Sequence, residues 1–152
     1  MRKALPLVLA FALGSITFAA QPDFSGKWEC VINKSDFGNA AKPTRLTVES
    51  TVQGNVMHAV QNTYTAQDDR TTQFDWYLDG QRHPTDKPAP GYSTTRWDGN
   101  TLVNERQSND GAYKETIRVT LSQDGKIATE DIQTKNPNGS NHEKLIWQKQ
   151  TQ

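Results

Sequence analysis

The residue types that most often bind metals or act as nucleophiles are sparse in this chain. It has three histidines, His58, His83 and His142, and one cysteine, Cys30. Zinc sites use closely spaced His and Cys ligands, whereas these histidines lie far apart and there is no second cysteine. The sequence therefore predicts no metal site and no cofactor.

Catalytic motifs are also missing from the sequence. There is no Gly-x-Ser-x-Gly motif, no Walker phosphate loop and no Rossmann glycine pattern. The acidic pair Asp68 and Asp69 precedes Arg70 between two expected strands, which is typical of a solvated turn. We therefore expect a protein that is not an enzyme.

Two arginines are stronger candidates for ligand chemistry, because both lie in segments that alternate in polarity. Arg96 shares a face with Tyr92, and Arg106 shares a face with Leu102. If either arginine faces the interior, it needs a counter-charge such as Glu115, or an anionic ligand. The alternative is an arginine that points outward into water, as exposed arginines usually do.

Turn doublets divide the chain after Gln21 into short segments. Asn or Asp followed by Gly supplies the positive φ angles of a tight hairpin turn. The chain has such doublets at 79–80, 98–99, 110–111, 124–125 and 138–139. Between them apolar residues recur at every second position, which is the period of a strand. The expected strands are 26–33, 44–52, 55–65, 70–79, 91–97, 101–107, 113–121, 126–134 and 142–149.

A meander of this many antiparallel strands tends to close on itself, because closure removes exposed sheet edges. We predict an all-β fold, a closed antiparallel up-and-down barrel of eight to nine strands. A two-sheet sandwich is the alternative, although sandwiches usually need long crossover connections that are not seen here. The side chains expected inside are Trp28, Cys30, Ile32, Phe74, Trp76, Leu78, Ile117, Val119 and Leu121.

Two expected connections are long, residues 33–43 and 80–91. The prolines at 84, 88 and 90 argue against a strand in the second. Counting the connections places the two loops at opposite ends of the barrel, unless one segment is miscounted. Phe37 in the first loop and Tyr64 near the end of the third strand are expected at the same end of the barrel.

The first 20 residues have the pattern of a secretory signal peptide. Arg2 and Lys3 are followed by an apolar stretch that is too short to cross about 30 Å of hydrocarbon. Thr17-Phe18-Ala19 then fits a cleavage site after Ala19. We expect an exported protein, periplasmic or secreted, with one domain over residues 21–152.

Charge excludes one class of partner. The chain has 17 basic and 17 acidic residues, and removing the signal peptide leaves an acidic excess. Electrostatic binding of nucleic acid needs an excess of basic charge along one face. We therefore expect no nucleic-acid partner.

Several short motifs resemble those of small exported bacterial lipocalin-like domains, which are calycin-type barrels. The first is Phe24-Ser25-Gly26-Lys27-Trp28, followed by Lys34-Ser35-Asp36-Phe37-Gly38. Two later segments, 97–102 and 121–126, resemble hairpins of such domains. The Thr-Asp-Tyr motif, the disulfide pair and the C-terminal helix of classical lipocalins are absent.

The resemblance implies roles for three residues in closing the barrel. Gly26 would let the chain pass tightly under the barrel, and Trp28 would plug that end. A basic residue from the last strand packs over this indole in lipocalins, and Lys149 is the nearest candidate. The resemblance also places the ligand entrance at the loop after the first strand.

Two functions remain open at this point. The first is an exported carrier or sensor that binds a small amphipathic molecule inside the barrel, with Phe37, Tyr64, Trp76, Arg96 and Arg106 as candidate ligand-binding residues. The second is a protein-interaction module with a filled barrel, which outward-facing aromatics such as Tyr77 and Trp97 would favour. An empty interior above roughly 300 Å³ would favour the carrier.

Overall fold

Antiparallel strands make up most of residues 21–151, the part of the chain that the computed structural model describes. The expected signal peptide, residues 1–20, lies outside the described residues. A 3-10 helix, Ile32–Lys34, follows the first strand. The strands β1 to β10, in chain order, are Gly26–Cys30, Arg45–Gln53, Val56–Tyr64, Asp69–Tyr77, Arg82–Thr85, Gly91–Asp98, Thr101–Ser108, Lys114–Leu121, Ile127–Asn136 and Gly139–Lys149. No helix within 21–151 has the length and apolar character needed to cross a membrane.

The ten strands form one sheet in which nearly every strand pairs with its neighbours in sequence. The order is β4-β3-β2-β1-β10-β9-β8-β7-β6-β5, and every pairing is antiparallel. The pairing of β1 with β10 joins the two ends of the meander, whereas β4 and β5 are not hydrogen-bonded to each other. The predicted up-and-down barrel is confirmed, but it has ten strands and one lateral gap.

The prediction that the prolines exclude a strand from residues 80–91 is wrong. Arg82–Thr85 forms β5 and contains Pro84. Because β5 pairs only with β6 and borders the gap, one of its edges has no partner strand. A proline, which lacks an N–H donor, is tolerated on such an edge.

The extra strand also changes where the second long loop lies. It divides this segment into a connection at 78–81 and another at 86–90. Alternate connections of a meander lie at the same end, so 86–90 shares an end with the β1–β2 connection, 31–44. We call this end the mouth, and we call the other end, which contains 78–81, the closed end.

Strand alternation separates an apolar interior from a polar exterior, as the period of two predicts. The side chains expected inside are buried or pack against the core, among them Trp28, Phe74 and Val119. Cys30 is one of these buried residues. Burial raises the pKa of its thiol, which disfavours the reactive thiolate.

Aromatic side chains fill the closed end of the barrel. The Trp28 indole is buried and donates a hydrogen bond to the carbonyl oxygen of Phe24 at 2.9 Å. The Lys149 ammonium lies 5.3 Å from the centre of the Trp28 ring. Gly26 has a φ of 124°, and a Cβ at this position would lie 2.7 Å from Cε of Lys149. A side chain at Gly26 would therefore strain the backbone and displace the lysine.

One of the two aromatic residues expected on the outer face lies inside instead. Trp97 packs against the core and stacks on Phe24 with ring centres 5.9 Å apart. It shares its face of β6 with the buried Thr95, so the register directs it inward. Tyr77 is exposed, as expected.

We expect Trp28→Ala to lower the free energy of unfolding by about 3–5 kcal/mol, because it leaves a large cavity in a packed region. Chemical denaturation followed by circular dichroism measures this difference. Tyr77→Ala removes an aromatic ring from the outer face and should cost far less. Equal losses for the two variants would contradict the role of Trp28 as the plug of the closed end.

Candidate functional site

The mouth half of the barrel contains a cavity of about 320 Å³. Towards the closed end the interior space shrinks to about 70 Å³ between packed aromatic and aliphatic side chains. The barrel is therefore filled at one end and open at the other. Its larger cavity just exceeds the volume of about 300 Å³ at which small-molecule sites begin.

The β1–β2 connection forms a cover over this cavity, which we call the lid (residues 31–44). Backbone hydrogen bonds attach it to β10: Asp36 and Lys144 exchange two at 2.8 Å, and the Val31 N–H donates to Ile146 at 2.7 Å. The Asn39 N–H donates to the side-chain oxygen of Asn141 at 2.7 Å. These bonds fix the lid along one side of the mouth.

Phe37 is the lid residue that joins the buried hydrophobic core. Its ring is buried and lines the cavity, whereas a residue at an open mouth is expected to be exposed. The adjacent Gly38 has a φ of 56°, and a Cβ there would lie 2.3 Å from atoms of Asn141 and His142. The absence of a side chain at Gly38 thus lets the lid approach β10 closely.

The structure places Arg106 inside the barrel, where it meets the counter-charge that the sequence analysis named. Its guanidinium lies 3.4 Å from Glu115 Oε1, and both side chains are mostly buried. The Tyr113 hydroxyl donates to the other oxygen of Glu115 at 2.8 Å. Burial and the nearby carboxylate raise the pKa of Tyr113, so the phenol keeps its proton.

Two further glutamates line the same cavity. Glu130 lies deeper and accepts a hydrogen bond from the Trp147 indole N–H at 2.8 Å. Burial, together with the nearby charges of Glu115 and Glu143, raises the pKa of Glu130 to about 7, although the hydrogen bond from Trp147 acts in the opposite direction. Burial also raises the pKa of Glu143, which accepts a hydrogen bond from Asn141 at 2.9 Å.

Trp76 contributes the largest ring of the cavity wall. It lies on β4, is only 4% exposed and lines the interior space from the closed end to the mouth. Its indole N–H is buried and has no hydrogen-bond partner among the described residues. A buried donor without a partner costs free energy, so this N–H is available to an acceptor atom of a bound molecule.

The gap between β4 and β5 gives the interior a second opening. A space of about 360 Å³ lies there, between residues 72–77 of β4 and residues 84–87. Trp76 and Arg106 line both this space and the main cavity. The lateral gap therefore leads to the same side chains as the mouth.

The structure brings three of the five candidate ligand-binding residues, Phe37, Trp76 and Arg106, to one cavity. Arg96 instead lies on the outer face, 45% exposed, and pairs with Glu105 at 2.6 Å. It alternates with the inward-facing Thr95 and Trp97, which is why it cannot reach the interior.

Tyr64 lies at the mouth end of β3, as expected, but its ring is on the outside. The preceding Thr63 lines the cavity, so alternation turns Tyr64 outward. There its ring lies under the Arg45 guanidinium, 5.5 Å from the ring centre. This position removes Tyr64 from the candidate site.

Sequence reasoning missed Glu130 and Glu143. Both occupy inward positions of strands that were correctly predicted. Glu130 lies between the inward Ala128 and Ile132 on β9, and Glu143 is two residues before the inward Leu145 on β10. The signal was therefore available, because a carboxylate in an apolar series is unusual.

The three histidines lie on the outer face of the barrel or at its closed end. Each pairs with an aspartate: His58 with Asp75, His83 with Asp79 and His142 with Asp131. Within residues 21–151 no group of His, Cys, Asp and Glu could hold a metal ion.

No known protein family matches this sequence, and no curated protein matches it. Solved structures do match. Fatty-acid-binding protein 1 of Echinococcus granulosus is 13% identical with a TM-score of 0.61, over 84% of this chain and 98% of that one. Secretory abundant heat soluble protein 4 of Ramazzottius varieornatus is 12% identical with a TM-score of 0.63, over 88% and 99%. Zebrafish ileal bile acid-binding protein complexed with cholic acid is 16% identical with a TM-score of 0.55, over 84% and 98%.

Identities this low show a shared fold and nothing finer. The barrel has the same fold as the solved fatty-acid-binding protein. The lipocalin-like resemblance is therefore right at the level of the barrel.

The stability of the protein should depend on the protonation of Glu130. Since its folded pKa of about 7 exceeds the ordinary 4.5, its favourable contribution is complete below about pH 4.5 and is lost as the pH rises through 7. We expect Glu130→Gln to stabilise the fold relative to the parent at pH 8, on the order of 2–3 kcal/mol. The two proteins should differ little near pH 4.5.

Urea denaturation at several pH values measures this effect. Glu49→Gln changes an exposed glutamate on β2 and is the matched control. Parallel stability profiles for the parent and Glu130→Gln between pH 4.5 and 8 would show that Glu130 is not buried as a neutral acid.

Proposed function

We propose that this protein is a carrier or sensor that holds a small amphipathic molecule in the mouth half of its barrel. The observation that supports this most directly is the cavity of about 320 Å³. Apolar side chains such as Phe37, Leu46 and Ile132 line it together with charged ones such as Arg106 and Glu115. A mixed wall of this kind suits a molecule with an apolar body and a polar group.

The alternative, an interaction module with a filled barrel, has less support. The interior is packed at the closed end only. With Trp97 turned inward, Tyr77 is the one large hydrophobic residue exposed on the described part of the chain. A single exposed ring does not make the aromatic cluster that protein interfaces use.

The similar structures support a binding role. Two of the three are named as a fatty-acid-binding protein and as a bile acid-binding protein complexed with cholic acid. Both names refer to binding of small amphipathic molecules and not to catalysis. We therefore propose a non-catalytic role for this barrel.

We further propose that the protein is exported to the periplasm or secreted. The support is the basic, apolar and small-residue pattern of residues 1–20. Mass spectrometry of the protein purified from its own host should find a mature form that begins at Ala20. A full-length chain that begins at Met1 would contradict export through this signal.

Native mass spectrometry of the same sample should show an additional mass from a co-purified small molecule. In vitro, the neutral dye Nile red is a suitable probe of the cavity. We expect Thr72→Trp to weaken Nile red binding about tenfold or more, because Thr72 lines the cavity on β4 and the larger ring would fill it.

Thr71→Trp is the matched control, since the neighbouring side chain is exposed on the outer face of the same strand. It should leave Nile red binding unchanged. Equal dye affinity in both variants would mean that the probe binds elsewhere, and the carrier proposal would then lose its site.

A further inference from the structure

The charged side chains of the cavity do not balance. Five of them line it, Arg70, Arg106, Glu115, Glu130 and Glu143. Arg106 is already paired with Glu115, and Arg70 lies at the exposed rim of the mouth. Within residues 21–151 neither Glu130 nor Glu143 has a cationic group within 4.0 Å of its carboxylate. The cavity wall therefore contains two carboxyl groups, those of Glu130 and Glu143, that have no counter-ion among the described residues.

This imbalance disfavours an anionic ligand. A fatty acid or a bile acid would bring another carboxylate into a space that already contains three glutamates, and Arg106 is already paired with Glu115. Burying like charges together is costly in a medium of low dielectric constant. The ligand that relieves the imbalance is a cation.

The positions of Glu130 and Glu143 suit one small cationic group. In the β9–β10 register Glu143 faces Ile132, so Glu130 lies on the inward diagonal, where Cα atoms are about 7–8 Å apart. An ammonium group has three N–H donors and accepts nothing. It can therefore donate to both carboxylates at once.

Independent polar atoms show that the cavity wall is incomplete without a ligand. Trp76 faces inward and is only 4% exposed, and its indole N–H has no hydrogen-bond partner among the described residues. Glu115 Oε1 is also buried without a hydrogen bond, although it lies 3.4 Å from Arg106. Glu115 Oε1 can accept a hydrogen bond from an ammonium group, whereas the Trp76 N–H needs an acceptor atom elsewhere in the bound molecule, because an ammonium accepts nothing.

We propose that the ligand is a cationic amphiphile, an amine whose protonated nitrogen is bound by the carboxylates of Glu130 and Glu143 while its apolar part packs against Phe37, Phe74 and Trp76. This inference rests on the proposed carrier function and specifies its ligand class.

Binding of an amine should be coupled to release of a proton. With a pKa of about 7, Glu130 is mostly protonated at pH 6.5 in the empty barrel. A neighbouring ammonium favours the carboxylate, so part of one proton leaves when the ligand binds. The other ionisable groups near Glu130 are Glu115 on β8, Glu143 on β10, Arg106 on β7, Arg70 on β4 and the Cys30 thiol on β1.

The test uses three probes that share one chain and differ in the polar group: decylammonium, decanol and decanoate. Isothermal titration calorimetry at pH 6.5 should give an affinity for decylammonium about tenfold or more above that for decanoate. Repeating the decylammonium titration in buffers of different ionisation enthalpy should reveal proton release. Decanol should bind without it.

The Glu130→Gln/Glu143→Gln variant keeps the shape of the cavity and removes both carboxylates. It should lose the preference for decylammonium and the proton release, while its affinity for decanol stays the same. Glu49→Gln, on the outer face, should behave as the parent does.

The outcomes separate this inference from the carrier proposal. If decanoate binds as well as decylammonium, or if the double variant keeps the preference, the amine assignment is wrong and a carrier of another ligand class remains. If none of the three probes binds, and Nile red does not bind either, the carrier function itself is overturned.

Discussion

The antiparallel pairing of β1 with β10 is the interaction on which the rest of the structure depends. It joins the first and last strands, so the meander becomes a barrel with an interior. Only three residue pairs form this seam, from Trp28 with Lys149 to Cys30 with Trp147. Further bonds extend it at both ends, Gln150 N–H to the Lys27 carbonyl and Val31 N–H to the Ile146 carbonyl.

The two ends of this seam lie at the two ends of the barrel. At its closed end Trp28 fills the barrel, and the short N-terminal segment passes beneath with Gly26 close to Lys149. At its mouth end the chain leaves β1 as the lid and stays bonded to β10. The same edge of β10 therefore contacts both Trp28 at the closed end and the lid at the mouth, and the cavity lies between them.

The cavity wall combines an apolar lining with charges that are only partly compensated. Arg106 and Glu115 neutralise each other, and Tyr113 supports this pair with its hydroxyl. Glu130 accepts a hydrogen bond from the Trp147 indole N–H, and its pKa is raised mainly because burial disfavours its charge. Such uncompensated groups reduce stability, so their presence in the wall of the cavity is the physical reason for placing the binding site there.

Local sequence patterns predicted most of the architecture. The Asp-Gly and Asn-Gly doublets mark connections between strands, and nine of the strands lie close to their expected places because alternation is a local signal. The one strand that was not predicted is β5. Pro84 argues against a strand there, because a proline is excluded from any strand that is paired along both of its edges. Only the sheet order shows that β5 borders the gap, where a proline is tolerated.

The sequence by itself determined the strand period, the all-β barrel and the need of an inward Arg106 for Glu115. Only the tertiary structure decided which face of β6 points inward. It places Trp97 inside and Arg96 outside. It also decided that Phe37 is buried while Tyr64 lies outside. The physical reason is that alternation defines two faces of a strand without saying which one is inside. Pairing with neighbouring strands makes that choice, and it places Glu130 and Glu143, from adjacent strands, in the same cavity.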